Sequence, residues 1–122
     1  MKKRILVVDD DELVLIALEA LLAPCGYEVT TASGGEEALQ KLNTKKFDLL
    51  ILDILMPGMN GFELCQKIRL LDEYKVVPII MLTAKSGAED RKRGLEVGAN
   101  LFLPKPIAPR QLLDLIKKSL EE

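Results

Sequence analysis

The sequence contains no histidine. That excludes Ser-His-Asp and Cys-His catalysis, and any histidine-ligated metal, within this chain. Only two cysteines are present, Cys25 and Cys65, and they lie far apart. Neither a CxxC pair nor a four-cysteine zinc site is possible. The two read as reduced thiols in a reducing compartment, in preference to a disulfide. Tryptophan is absent and aromatics make up 4% of the chain, so there is little on which to stack bases. The net charge is −2, with 6 basic and 10 acidic residues in 1–61 against 11 and 9 in 62–122. That imbalance is too weak to imply direct nucleic-acid binding. No apolar run approaches the roughly 18–20 residues of a membrane span. Lys2-Lys3-Arg4 followed by Ile5-Leu6-Val7-Val8 begins like a signal peptide. Asp9-Asp10-Asp11-Glu12 then cuts the apolar run short, and no cleavage site follows. A cytoplasmic location is expected, with no membrane partner.

What is present fits one domain spanning 1–122. The 122 residues are 48% hydrophobic and 30% charged, long enough to bury a sizeable core. Short apolar runs, Ile5–Val8, Tyr27–Thr31, Phe47–Leu52, Pro78–Leu82 and Leu101–Leu103, alternate with stretches of helical period. Three runs are nearly continuous in Val, Ile and Leu, as in strands buried on both faces. Leu13, Ile16, Ala17, Ala20 and Leu21 fall at i, i+3, i+4, i+7 and i+8, the spacing of a helix. Ser33-Gly34-Gly35-Glu36 and Ser86-Gly87-Ala88-Glu89 have capping-box form. Asn60 offers a cap for the third helix, and Gly26 and Gly98 stand at expected helix C-caps. Pro109 opens the last helix, although Ala108 before it is a poor cap. The expected fold is α/β: a three-layer doubly wound (βα)5 unit. Its parallel sheet has five strands in the order 2-1-3-4-5, flavodoxin-like.

Ligands of such sheets bind beyond the carboxyl ends of the strands. The first strand ends in Asp9-Asp10, the third in Asp53 and the fourth in Thr83, and the fifth is followed by Lys105. Three converging carboxylates repel one another, which implies a cation or a raised pKa. An all-oxygen set suits Mg²⁺. A carboxylate beside Mg²⁺ and Lys can attack phosphorus, and Asp53 is the best candidate. Each residue taken singly has a plainer role. Asp11 and Glu12 suit a solvated helix N-terminus. Asp53 could start a turn, Thr83 could be a strand-end hydroxyl, and Lys105 could be a surface lysine. Their joint placement at four strand ends carries the argument. Two other readings share the fold class. Asp9-Asp10-Asp11 superficially fits the Asp-x-Asp of a haloacid-dehalogenase-like phosphatase, but Leu13 and the missing cap domain do not. A flavodoxin-like electron carrier needs a Ser/Thr/Gly-rich phosphate loop after the first strand, where Asp9-Asp10-Asp11-Glu12 would instead repel an FMN phosphate.

In order along the chain, Ile5–Asp10, Asp53–Gly61, Leu82-Thr83-Ala84, Gly98-Ala99-Asn100 and Pro104-Lys105-Pro106 resemble the receiver domains of two-component response regulators. The resemblance covers essentially the whole chain. It implies that Asp53 is phosphorylated by a partner histidine kinase or phosphotransfer protein. It implies that Asp9, Asp10, Asp53 and the backbone carbonyl of Leu55 hold Mg²⁺. Lys105, Thr83 and the backbone N–H of Ala84 would contact the phosphoryl group. The Lys105-Pro106 bond would be cis. Thr83 and Phe102 would form the switch: Thr83 moves inward and Phe102 fills the vacated space. The output would be the face formed by the fourth helix, fifth strand and fifth helix, binding an unknown downstream protein or a second copy. Arg91, Lys92, Arg93 and Arg110 are expected on or near that face. Such a domain catalyses its own phosphorylation and dephosphorylation and turns over no separate substrate. The alternative is a receiver-like module that docks proteins without phosphorylation.

Overall fold

The computed structural model describes residues 2–121. Five strands, β1 (Arg4–Val8), β2 (Glu28–Ala32), β3 (Leu49–Leu52), β4 (Ile79–Thr83) and β5 (Leu101–Pro104), form one sheet in the order β2-β1-β3-β4-β5. All neighbouring pairs are parallel. Between and after them run α1 (Glu12–Leu22), α2 (Gly35–Thr44), α3 (Gly61–Arg69), α4 (Ala88–Glu96) and α5 (Pro109–Glu121). Short 3₁₀ turns at Ala23–Cys25 and Asp72–Tyr74 were not expected from the sequence. No helix among the described residues is long and apolar enough to cross a membrane.

The period of two in the strands divides the core between the two faces of the sheet. Leu6, Val8, Leu50, Leu52, Ile79 and Met81 pack with Ala38 and Leu42 of α2 and with Phe62, Leu64 and Ile68 of α3. Ile5, Val7, Leu49, Ile51, Ile80 and Leu82 point the other way, onto Leu15, Leu18 and Leu22 of α1 and Leu112 and Ile116 of α5. Each such leucine or isoleucine stabilises the fold by about 2 kcal/mol relative to exposure. Strands covered on both faces explain the unbroken apolar runs of β1, β3 and β4.

The stripe whose spacing marks α1 as a helix is not the one the helix buries. Leu13 and Ile16 are 76% and 57% exposed, and the buried residues are Leu15, Leu18 and Leu22. Two apolar stripes lie on this helix, and the one turned to the sheet is offset from the other. Capping differs as well. Glu37, not Glu36, accepts from the Ser33 N–H (2.8 Å) and hydroxyl (2.9 Å). The box expected at Ser86 does not form, and Gly87 caps α4 without a side-chain bond. Asn60 and Glu63 do form a reciprocal box on α3. Asp11 caps α1 by accepting from the Leu13 N–H at 3.0 Å. Gly26 and Gly98 take positive φ of 95° and 116° beyond their helices, where a Cβ would be strained.

Arg69 ties one end of this framework together. Its guanidinium donates to the carbonyls of Tyr74, Val77 and Gly98 and to Asn100 Oδ1. Asn100 Oδ1 also accepts from Ile79 N–H, at 2.8 Å. One side chain of α3 thereby fixes the entry to β4 and to β5, the strands that end in Thr83 and lead to Lys105.

Candidate functional site

Sheet order brings β1 beside β3, so the ends of these strands are adjacent. The carboxylates of Asp9, Asp10 and Asp53 converge there, each offering an oxygen within 4.8 Å of the others. Asp9 and Asp53 are buried and Asp10 is exposed. Lys105 reaches in from beyond β5. Its Nζ donates to Asp9 Oδ2 at 2.6 Å and to Asp53 Oδ2 at 3.4 Å. The Lys105-Pro106 peptide is cis.

Backbone donors fix both buried acids. Ile54 N–H donates to Asp53 Oδ1 at 2.7 Å, and Asp11 N–H donates to Asp9 Oδ1 at 2.9 Å. Burial raises the Asp9 carboxyl above its ordinary value, aided by the charge of Asp53 and opposed by the bond from Lys105. Burial alone would lower the Lys105 ammonium. The bond to Asp9 and the charges of Asp53 and Asp9 outweigh it, so Lys105 holds its proton more firmly than a free lysine.

Three carboxylates thus share one ammonium, leaving an uncompensated anionic pocket open at Asp10. The donor set is all oxygen at a rigid sheet edge, and it fits a hard divalent cation such as Mg²⁺. Leu55, whose carbonyl the resemblance to receiver domains adds to this set, lies two residues beyond Asp53. Its side chain is 53% exposed and leaves the site free.

The remaining expected residues lie at and beyond the ends of β4 and on β5. Thr83 is fully buried at the end of β4, and its hydroxyl accepts from Lys85 N–H at 3.1 Å. Ala84 follows it and is exposed. Phe102 is already buried, so the expected picture of a ring that enters only after Thr83 moves does not describe this state. A Cβ built on Gly94 would lie 2.7 Å from Phe102 Cδ2 and 3.0 Å from Met81 Sδ. The ring occupies room that only a glycine on α4 leaves. Arg91 donates to the Phe102 carbonyl at 3.2 Å, on the expected face. Arg93 departs from expectation. Its guanidinium lies 4.4 Å from the centroid of the Phe62 ring and lines a cleft beside Asp10.

Gly61 is a contributor whose reason appears only in three dimensions. A Cβ there would fall 2.1 Å from the Asp53 carbonyl oxygen and 2.8 Å from Ile54 Cα. Its N–H donates to the Ile54 carbonyl at 3.0 Å. The first turn of α3 therefore presses on the backbone that carries Asp53. The glycine in the loop was visible in sequence, but its neighbour was not.

A family model described as "Response regulator receiver domain" matches residues 5–117. The chain belongs to that family. This receiver is 44% identical over 120 residues to the alkaline phosphatase synthesis transcriptional regulatory protein PhoP of Bacillus subtilis, covering 98% of this chain and 49% of PhoP. It thus spans about half the length of that relative. Among solved structures, the chemotaxis protein CheY4 of Vibrio cholerae superposes with a TM-score of 0.94 at 38% identity, covering 98% of this chain and 100% of CheY4. A CheY-like receiver domain protein of Methanospirillum hungatei gives 0.93 at 37%, over 99% of this chain and 95% of that one. The receiver is accordingly a signalling domain of a two-component response regulator, with an acidic pocket able to hold a metal ion.

Proposed function

We propose that Asp53 is the phosphoacceptor of a two-component phosphorelay. The observation that carries this reading is the setting of its carboxylate. It is buried at the end of β3, with Lys105 3.4 Å from one oxygen and the Ile54 N–H on the other. A phosphoryl group arriving from phosphohistidine would form a bond to an Asp53 oxygen as its P–N bond breaks, and the imidazole leaves with the electron pair. No histidine lies among these 122 residues, so the donor histidine lies outside them, on a sensor kinase or phosphotransfer protein. Exposed Leu13 and Ile16 on α1 lie just past the acidic cluster and offer that partner an apolar surface beside the site.

Asp9, Asp10, Asp53 and the Leu55 carbonyl would hold Mg²⁺. When bound, the ion supplies positive charge against the phosphoryl oxygens. Lys105 adds its ammonium on one side. Thr83, once its hydroxyl turns from Lys85, and the Ala84 N–H would donate hydrogen bonds on the other. Phosphorylation adds about −1.5 to −2 charges, enough to reorganise this network. The change would bias a two-state equilibrium at Thr83, Gly94 and Phe102, read out on the α4-β5-α5 face by a downstream protein or a second copy. The alternative, docking without phosphorylation, is disfavoured by the complete set of acids, Thr83 and Lys105.

The test is intact-mass measurement with Mg²⁺ and a small phosphodonor. Wild type should gain one phosphoryl mass, and neither Asp53→Ala nor wild type in chelator should. Uptake by Asp53→Ala would show that the acceptor lies elsewhere. Failure to bind Mg²⁺ in a titration would favour the docking alternative.

A further inference from the structure

A cleft of about 420 Å³ opens beside the acidic centre, between the loop that follows β3 and helix α4. Asp10 forms its inner wall, Leu55, Pro57 and Phe62 its apolar side, and Lys85 and Arg93 its cationic side. The two cations are not equivalent. Lys85 is already paired with Asp90 at 3.4 Å. Arg93 forms no ion pair among the described residues, although Glu89 and Glu96 lie a helical turn away on α4. Stacking on Phe62 at 4.4 Å instead holds its guanidinium on the cleft wall. A planar guanidinium without an ion-pair partner among the described residues matches a carboxylate or phosphate oxyanion. Asp10, which lines this cleft, shares the acidic centre with Asp9 and Asp53, so the phosphorus of a donor belongs to that centre. What remains for Arg93 is the other end of the donor.

We propose that this cleft receives the leaving group of small acyl phosphates, with Arg93 binding the departing carboxylate. The proposal rests on Asp53 being the acceptor. An Asp53 oxygen bonds to phosphorus, and the bond from phosphorus to the acyl oxygen breaks. The electron pair leaves on a carboxylate, and no redox partner is needed. The negative charge that develops on the leaving oxygen is what Arg93 stabilises, and the apolar side takes the acyl carbon chain. A donor whose leaving group departs neutral, such as phosphoramidate or the imidazole of phosphohistidine, gains nothing from this cation. Arg93 therefore acts as a specificity residue between donors.

The experiment compares two donors on the Mg²⁺-loaded chain, acetyl phosphate and phosphoramidate, reading initial rates by intact mass. Arg93→Gln should lower the ratio of acetyl phosphate rate to phosphoramidate rate about fivefold, the size of one partly exposed ion pair. Arg93→Lys should restore part of that ratio, and Arg93→Glu should lower it further. An unchanged ratio in Arg93→Gln, whether both rates fall together or neither does, would overturn the assignment. If wild type takes phosphoryl from neither donor, the acceptor role of Asp53 falls first, and this inference with it.

Discussion

Lys105 donates its shortest hydrogen bond to Asp9, at 2.6 Å, while Asp53 lies 3.4 Å away. The lysine is held more closely by Asp9, a carboxylate of the proposed metal site, than by Asp53, the proposed acceptor. A divalent cation and the lysine therefore compete for the Asp9 carboxylate. Lys105→Met should tighten Mg²⁺ binding by roughly five- to tenfold, since one neighbouring positive charge is removed from a partly screened site. The same substitution should slow phosphorylation, because a charge that faces the phosphoryl oxygens is gone. Calorimetric titration with Mg²⁺, alongside phosphorylation rates, checks both halves. Weaker Mg²⁺ binding would contradict the competition.

Asp53→Asn should stabilise the metal-free domain by about 1 kcal/mol, the scale of one relieved like-charge contact. The amide oxygen of Asn can still accept from Ile54 N–H, so the bond is kept while the charge that raises Asp9 is removed. Urea unfolding without Mg²⁺ measures this, and saturating Mg²⁺ should shrink the gain. A destabilised Asp53→Asn protein would mean that repulsion is not what limits the apo fold.

Gly61→Ala places a methyl group where the Asp53 carbonyl oxygen stands 2.1 Å away. Backbone must move on one side or the other, at an expected cost of about 2 kcal/mol or more. The rate of phosphorylation should fall as well, because the displaced backbone carries Asp53, the proposed acceptor. Gly34→Ala is the control, since nothing lies within 4 Å of its would-be Cβ. Equal behaviour of the two variants would refute the contact.

The bonds from the Ser33 N–H and hydroxyl lower the pKa of Glu37, so its ionised form is favoured in the fold. The stability this contributes is present above the ordinary carboxylate value and lost as pH falls through the depressed one. Ser33→Ala should move the Glu37 titration upward in NMR and weaken the start of α2 near neutral pH. The difference from wild type should narrow once Glu37 is protonated in both. A difference that grows in acid would contradict this sign.

Strand order, the acidic pair, Asp53, Thr83 and Lys105 were legible because each stands at a strand end, and α/β topology maps those ends to one edge; the cis peptide was expected from the resemblance to receiver domains alone. The face of α1 was not. Its residues Leu13 to Leu22 are apolar nearly all round, so two stripes of the same period compete and tertiary packing selects one. Caps at Ser33 and Ser86 failed for a related reason: neighbouring glycines let the chain enter the helix one residue later. Contacts between elements, such as Gly61 on Asp53, Gly94 on Phe102 and Arg93 on Phe62, leave no local pattern at all. The cysteines were read correctly as unpaired thiols. Cys65 lies in the core, where burial pushes its thiol up to about 11, and Cys25 is exposed.

The most direct test of the central claim is to locate the phosphoryl group on the chain. After incubation with Mg²⁺ and a phosphodonor, borohydride reduces an aspartyl phosphate to homoserine, and peptide sequencing by mass spectrometry then reads the position. Homoserine at position 53 alone, lost when Mg²⁺ is chelated, is the predicted result. Homoserine at position 9 or 10, or none at position 53 in protein that has gained phosphoryl mass, would contradict it.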